Sequence, residues 1–377
     1  MRVLITGIGG SIGCHVLKHF LINTDWHIIG IDSFRHKGLT DRVEMVLSSE
    51  PAWRNRVSLF THDLCAPISG ILAYKLGVID SILNLASLSD VQASIDEPGP
   101  FILNNVQITT TILDFARICK SLKSFIHFST DEVYGPTGEN TTHPEWAAIL
   151  PSNAYSASRA AQEAIAIAYW RSYGVPLIIT NTMNNFGEMQ QPGKFPSIVQ
   201  RKVTADEVVI IHGNENNHGS RYYLHSRSTA DAILFILQNV SPYIHKNGEV
   251  DRPERFNIVG DQRISNLEFA EMIAGKKLRY QYLDFIVARP GHDKHYGLDG
   301  NKLAKLGWKS PISFENSLKQ VILWGKENPE WLQPEGQQNV ELCNKKILKS
   351  TKPEQLRFAF TGDPPDPGKI ALNIVKG

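Results

Sequence analysis

Cysteine is scarce: Cys14, Cys65, Cys119 and Cys343 are the four in 377 residues. They are scattered and show neither CxxC nor other metal-ligand spacing, so no disulfide framework and no metal is expected. Long apolar runs are also missing. None approaches the ~18 residues that a membrane helix needs, which excludes a helical span and with it a membrane partner. A charge of one sign is missing too. Lys and Arg number 39 and Asp and Glu 38, so no global field draws nucleic acid or an anionic surface, and any bound anion must be met by local groups. The chain opens directly on a strand-like stretch, Val3–Thr6, with no secretory pattern. The expected location is cytoplasmic.

What the chain does have is alternation. Short apolar stretches at Val3–Thr6, His27–Asp32, Val57–Phe60, Ile79–Leu85, Ser124–Ser129 and Leu177–Thr180 are bounded by turn residues. Between several of them lie helical patterns: Ile12 to Leu21, Phe101 to Ala116 and Ala160 to Trp170. This order predicts α/β architecture, a Rossmann-type doubly wound parallel sheet with helices on both faces and a smaller carboxyl-terminal substrate-binding lobe. The boundaries expected are 1–183 for the dinucleotide-binding domain, with 222–260 returning to it, and 184–221 with 261–332 for the lobe. Thr229 to Leu237 and Leu267 to Ile273 read as helices and Phe256–Val259 as a strand. Residues 333–377, with Lys345, Lys346, Pro364, Pro365 and the apolar Ile370–Val375, read as an appendage: an arm on the lobe or on a partner subunit, or a partly disordered tail.

Thr6-Gly7-Ile8-Gly9-Gly10-Ser11-Ile12-Gly13 follows a strand and opens a helix. Glycines there permit a tight turn and close approach to a pyrophosphate, which the free N–H groups of the helix start would bind. The same glycines also make ordinary turns, and the context decides. Asp32 ends the next strand about 20 residues on, where a carboxylate accepts from a ribose and repels a 2′-phosphate. The cofactor expected is therefore NAD, with Gly7, Gly10, Ser11, Ile12, Gly13 and Asp32 in contact. Asp63 ends the third strand and reads equally as an adenine contact or as a cap of the segment after it.

Ser129-Thr130-Asp131-Glu132-Val133-Tyr134-Gly135 follows another strand and places a hydroxyl and two carboxylates where a parallel sheet keeps its ligand crevice. Tyr155 and Arg159 share a helix face at i, i+4. Alone they read as a surface pair. Beside a reacting alcohol, a cation favours the phenolate and makes the tyrosine a usable base.

Together the glycine loop, the Ser129–Gly135 run and Tyr155-x-x-x-Arg159 resemble the extended short-chain dehydrogenase/reductases, the NAD-dependent epimerases and dehydratases. The Thr-Asp-Glu run resembles the nucleotide-sugar 4,6-dehydratases among them, those acting on dTDP-glucose most nearly. Further stretches agree over about residues 1 to 325: Asn84-Leu85-Ala86, Ser89 to Ser94, Asn184-Asn185-Phe186-Gly187, and Arg289-Pro290-Gly291-His292-Asp293. The resemblance implies a lyase that converts a nucleotide-diphosphate hexose to its 4-keto-6-deoxy form, working as a homodimer built on Phe101–Ala116 and Ala154–Trp170. It implies Thr130, Asp131, Glu132, Tyr155 and Arg159 as catalytic residues. Leu64, Leu85, Ala86 and Asn105 join the cofactor contacts. Ser89, Asn185, Lys194, His212, Arg221, Asn257, Arg289 and His292 become substrate contacts, with Arg221 and Arg289 gripping the diphosphate. The chain also departs from the family, which has lysine at Arg159 and commonly Glu and His at Leu88 and Asp90. Two alternatives stay beside the main reading: a 4-epimerase or decarboxylase on the same fold, and a catalytically weak relative that binds NAD and a sugar nucleotide.

Overall fold

Successive residues of the first strand face opposite ways. Val3 and Ile5 enter one apolar core with Val16, Leu17 and Phe20, while Leu4 enters another with Ile112, Leu113 and Trp170. The same alternation runs through Ile28 against Ile29 and through Ile178 against Leu177 and Ile179. A strand apolar on both faces must be covered on both faces, and helices do this.

The computed structural model describes residues 1–36, 38–138, 140–215, 217–245, 251–283 and 295–333. In chain order its main elements are β1 (Arg2–Thr6), α1 (Ser11–Asn23), β2 (His27–Asp32), α2 (Leu39–Ser49), β3 (Val57–Thr61), α3 (Gly70–Leu76), β4 (Ser81–Asn84), α4 (Val91–Asp96), α5 (Pro98–Ala116), β5 (Ser124–Thr130), α6 (Ala154–Tyr173) and β6 (Leu177–Thr182). Then come β7 (Asn185–Phe186), α7 (Phe195–Thr204), β8 (Val209–Asn214), β9 (Asn217–His218), β10 (Ser220–Tyr222), β11 (Leu224–His225), α8 (Ser226–Asn239), β12 (Glu254–Ile258), β13 (Arg263–Ser265), α9 (Asn266–Ala274) and β14 (Tyr280–Leu283). Two further helices span Asn301–Lys305 and Phe314–Glu327.

Seven parallel strands form one sheet in the order β12-β6-β5-β4-β1-β2-β3. The order reverses at β1, with β2 and β3 on one side and β4, β5 and β6 on the other, so a crevice opens beyond the carboxyl ends of β1 and β4. The register puts Thr6 opposite Asn84 and Thr130 opposite Thr182, which aligns the loops carrying the sequence motifs along that edge. Beyond residue 222, β12 pairs with β6 and α8 packs on α1. The small sheets β10-β13, β7-β11 and β14-β8-β9 lie outside it. An aromatic core of Phe186, Tyr223, Phe269 and Phe314 backs β7 and β13, and Val199, Val209, Ile211 and Ala270 form another under β8.

Helix α6 shows why its start is well defined. The Asn153 side chain accepts from the Ser156 N–H, and the Ser156 hydroxyl accepts from the Asn153 N–H, a reciprocal cap. No described helix is long and apolar enough to cross a membrane. The chain divides after Leu332, and apart from Gln333 the expected appendage lies outside the described residues, as do Arg289 and His292.

Candidate active site

The glycine loop is closed by its own backbone. Gly7 has φ +69°, and a Cβ there would stand 2.9 Å from the Ala86 Cα; a Cβ on Gly13 would stand 2.2 Å from the Gly7 carbonyl oxygen. Only glycine fits either place. Helix α1 begins with no side-chain cap and no acid in its first turn, so its amino end keeps N–H groups and a positive dipole for an anion. Ser11 and Ile12 form that first turn. Thr6 donates to Asn84 and accepts from the Ala86 N–H, which fixes Leu85 and Ala86 beside the loop. Asp32 is buried and accepts from the Gly9 N–H at 3.0 Å and from the Phe34 N–H at 3.1 Å.

Asp63 turns back on its own segment. It accepts from the Cys65 N–H at 2.9 Å and pairs with Arg35 at 2.8 Å. The Cys65 N–H, with Arg35, outweighs burial and holds its carboxyl below the usual range. The Cys65 contact caps the segment after β3. Leu64 beside it is buried. Asn105 is wholly buried, accepting from the Leu88 N–H and donating to the Leu88 carbonyl and the Ser158 hydroxyl. It ties the segment after β4 to α6.

The catalytic candidates converge at the end of β5. Thr130 donates to Asp131 at 2.9 Å, and its hydroxyl is close enough to Tyr155 to favour the ionised phenol. Asp131 is buried, and its second carboxyl oxygen has no partner. Burial first, then the neighbouring Glu132, push its pKa up to about 7, against the pull of Thr130 and Arg221. Glu132 is only partly buried and accepts from Asn153. Two adjacent carboxyls thus sit in different surroundings, the condition for one to act as acid and the other as base.

Tyr155 is buried too, and burial pushes its pKa up to about 12. Arg159 pulls it down as expected from sequence, but burial and the two carboxylates outweigh that pull. Arg159 itself is buried, donates to the Phe128 carbonyl, and leaves its Nε without a partner.

The substrate candidates divide. Arg221 lies over the Tyr296 ring at 4.3 Å, and its charge reaches Asp131. Lys194 donates to the Ser89 carbonyl at 3.1 Å, which brings those two together. Asn185 is held by Thr182, Met183 and Thr229, and His212 lies on β8. Asn257 is wholly buried and donates to the His143 and Asp299 carbonyls, so its amide hydrogens brace the chain. Sequence reasoning missed a buried support behind the site. Glu163, one turn after Arg159, accepts from Asn181 and pairs with Arg255 at 2.6 Å. The i, i+4 spacing from Arg159 was its only signal.

A family model described as GDP-mannose 4,6 dehydratase matches residues 4–321. A dTDP-glucose 4,6-dehydratase of Escherichia coli is 28% identical, over 88% of this chain and 95% of that protein. A trifunctional Arabidopsis thaliana protein with UDP-glucose 4,6-dehydratase in its name is 30% identical over 88% of this chain and 48% of its own length. Among solved structures, the dTDP-glucose 4,6-dehydratase of Streptomyces venezuelae with NAD bound superposes with a TM-score of 0.76 at 28% identity, covering 88% of this chain and 99% of that one.

Proposed function

Because the chain belongs to the GDP-mannose 4,6-dehydratase family, we propose that it is an NAD-dependent hydro-lyase that removes water from a nucleotide-diphosphate hexose, giving the 4-keto-6-deoxy sugar. The glycine loop fits the cofactor, since a Cβ on Gly7 would collide with the Ala86 backbone and one on Gly13 with the loop itself, and the start of α1 is free of acids. Gly7, Gly10, Ser11, Ile12 and Gly13 would meet the pyrophosphate, and Asp32 the adenosine ribose. Leu64, Leu85 and Ala86 would line the pocket, Asp63 would lie at its edge, and Asn105 would hold it in shape. When bound, NAD supplies the hydride acceptor for C4 and the donor for C6.

The chain supplies the proton chemistry. Tyr155 takes the proton of the 4-hydroxyl while Thr130 bonds the same oxygen, and Arg159 favours the phenolate. The new ketone acidifies the C5 proton, which Glu132 removes. Asp131, still protonated near neutral pH, donates to the departing 6-hydroxyl, and water leaves. Arg221, with Arg289 in the family's motif, is suited to the diphosphate. Ser89, Asn185, Lys194, His212 and His292 would contact the sugar or nucleotide, and Asn257 would act through the backbone it braces. The lobe proposed to carry the sugar is 184–221 with 261–332, the appendage being 333–377. The protein would work in the cytoplasm as a homodimer.

The observation that carries this reading is the Asp131–Glu132 pair beside Thr130 and Tyr155. A 4-epimerase needs the tyrosine but not the pair. The test is incubation with dTDP-, UDP-, CDP- and GDP-hexoses, read by mass. Loss of one water from at least one of them supports the reading, and an unchanged mass with an epimerised sugar overturns it.

A further inference from the structure

Outside the catalytic group, His15 of α1, Glu188 of the loop after β7 and His225 at the end of β11 meet around one carboxylate oxygen. Both imidazole Nε2 atoms lie 3.1 Å from Glu188 Oε2. Both rings are buried. Three such groups on separate elements suggest a metal site, and the hydrogen bonds argue against one. The Arg227 backbone N–H donates to His225 Nδ1 at 3.0 Å. That nitrogen therefore carries the lone pair, and Nε2 carries the proton that a metal would have to displace. The Arg227 guanidinium, 3.5 Å from Glu188 Oε1, adds a positive charge where a cation would sit.

The other ring reads differently. His15 Nδ1 faces the Ser11 carbonyl at 2.8 Å, so it is a donor, while Nε2 faces a carboxylate. A neutral ring would turn a lone pair on that carboxylate, so both nitrogens must be protonated. We propose that His15, Glu188 and His225 form a charged latch that fastens the first turn of α1 to the loop after β7 and so positions the cofactor's pyrophosphate site; this rests on the NAD reading above. Arg42 braces the same junction, donating to the Met189 carbonyl at 2.7 Å and to the Gly9 carbonyl at 3.3 Å.

The titratable and charged groups facing the latch are Cys14 on α1, Glu188 on the loop, and His225 and Arg227 around the start of α8. Burial opposes a charged His15, but Cys14 and Glu188 outweigh it and hold its pKa near 10. Burial lowers His225 to about 4, despite the Glu188 bond. Burial also opposes ionisation of Glu188, yet the two histidines hold its carboxyl well below the usual range. With the Ser11 carbonyl at Nδ1 and Glu188 at Nε2, His15 keeps its charge across neutral pH, and the latch opens only at alkaline pH.

The test uses the full-length protein and Glu188→Gln, with Glu188→Asp as the conservative variant. In nitrogen-15 histidine spectra at pH 8, the unmodified protein should show His15 with both nitrogens protonated and His225 as the neutral Nε2–H form. In Glu188→Gln, His15 should become neutral. NAD affinity should fall about tenfold in Glu188→Gln, the scale of one lost charged hydrogen bond, and recover in part in Glu188→Asp. It should also decline above pH 10 only when Glu188 is present. A neutral His15 at pH 8, unchanged NAD affinity in Glu188→Gln, or tight zinc binding that shifts both histidines would overturn the latch. Failure of the unmodified protein to bind NAD would instead overturn the cofactor reading, while the spectra still decide the charge state.

Discussion

Asp131 and Glu132 are neighbours in sequence, but the turn after β5 buries one and leaves the other partly exposed. Asp131 is raised from 3.8 to about 7. A carboxyl raised in the folded state costs nothing below its unfolded value, costs progressively more as pH rises, and costs its full amount above the folded value. Asp131→Asn should therefore raise Tm more at pH 8 than at pH 4, while lowering turnover by about 10²- to 10⁴-fold through loss of the acid. Calorimetry at both pH values, with a product assay, checks the two effects together. The unmodified enzyme should also lose elimination rate above about pH 7. Arg159 is a departure that the sequence shows plainly, but its cost was not legible there. The structure adds that its Nε is buried without a partner and that burial disfavours its charge. Arg159→Lys should raise turnover, by up to about a hundredfold where misplacement is the cause. Product formation by both forms at saturating substrate checks it, and a neutral or harmful outcome shows arginine to be adapted to this site.

The elements that carry function were mostly legible, for reasons particular to each. The strands β1, β2, β5 and β6 are short apolar runs between turn residues, and a doubly covered sheet reads that way. The glycine loop announces itself because a side chain at Gly7 or Gly13 would strike backbone. Helix α2 was not read although its apolar residues Leu39, Val43, Val46 and Leu47 fall at helical spacing, and the pairing of β8 with β14 was not read because those partners lie far apart along the chain. Nor were the groups at the latch, since nothing local ties His15 to Glu188, 173 positions away. The cap of α6 was not read either: the helical pattern is read from Ala160, whereas Asn153, a residue type that starts helices, caps it from Ala154. Asn153 also touches Glu132. Asn153→Ala should cost about 1 kcal/mol of stability and reduce turnover as well, measured by denaturant unfolding and by the product assay. Loss of stability without loss of rate would separate the cap from the site.

Across the whole molecule, α5 and α6 pack side by side, and Leu103 on α5 and Tyr173 on α6 remain exposed. Apolar residues left over after a helix has covered its core favour a partner, and a twofold pairing of the two helices would bury them. A dimeric mass by light scattering at micromolar concentration is expected, and Leu103→Glu should shift it toward monomer. All of this serves one chemical claim, that the Asp131–Glu132 pair eliminates water from a sugar first oxidised at C4. A single turnover of Glu132→Gln with the accepted nucleotide sugar tests it most directly, with the reduced cofactor followed by absorbance and the sugar by mass. Reduced cofactor should accumulate while the sugar keeps its water; water lost at the original rate would contradict the account.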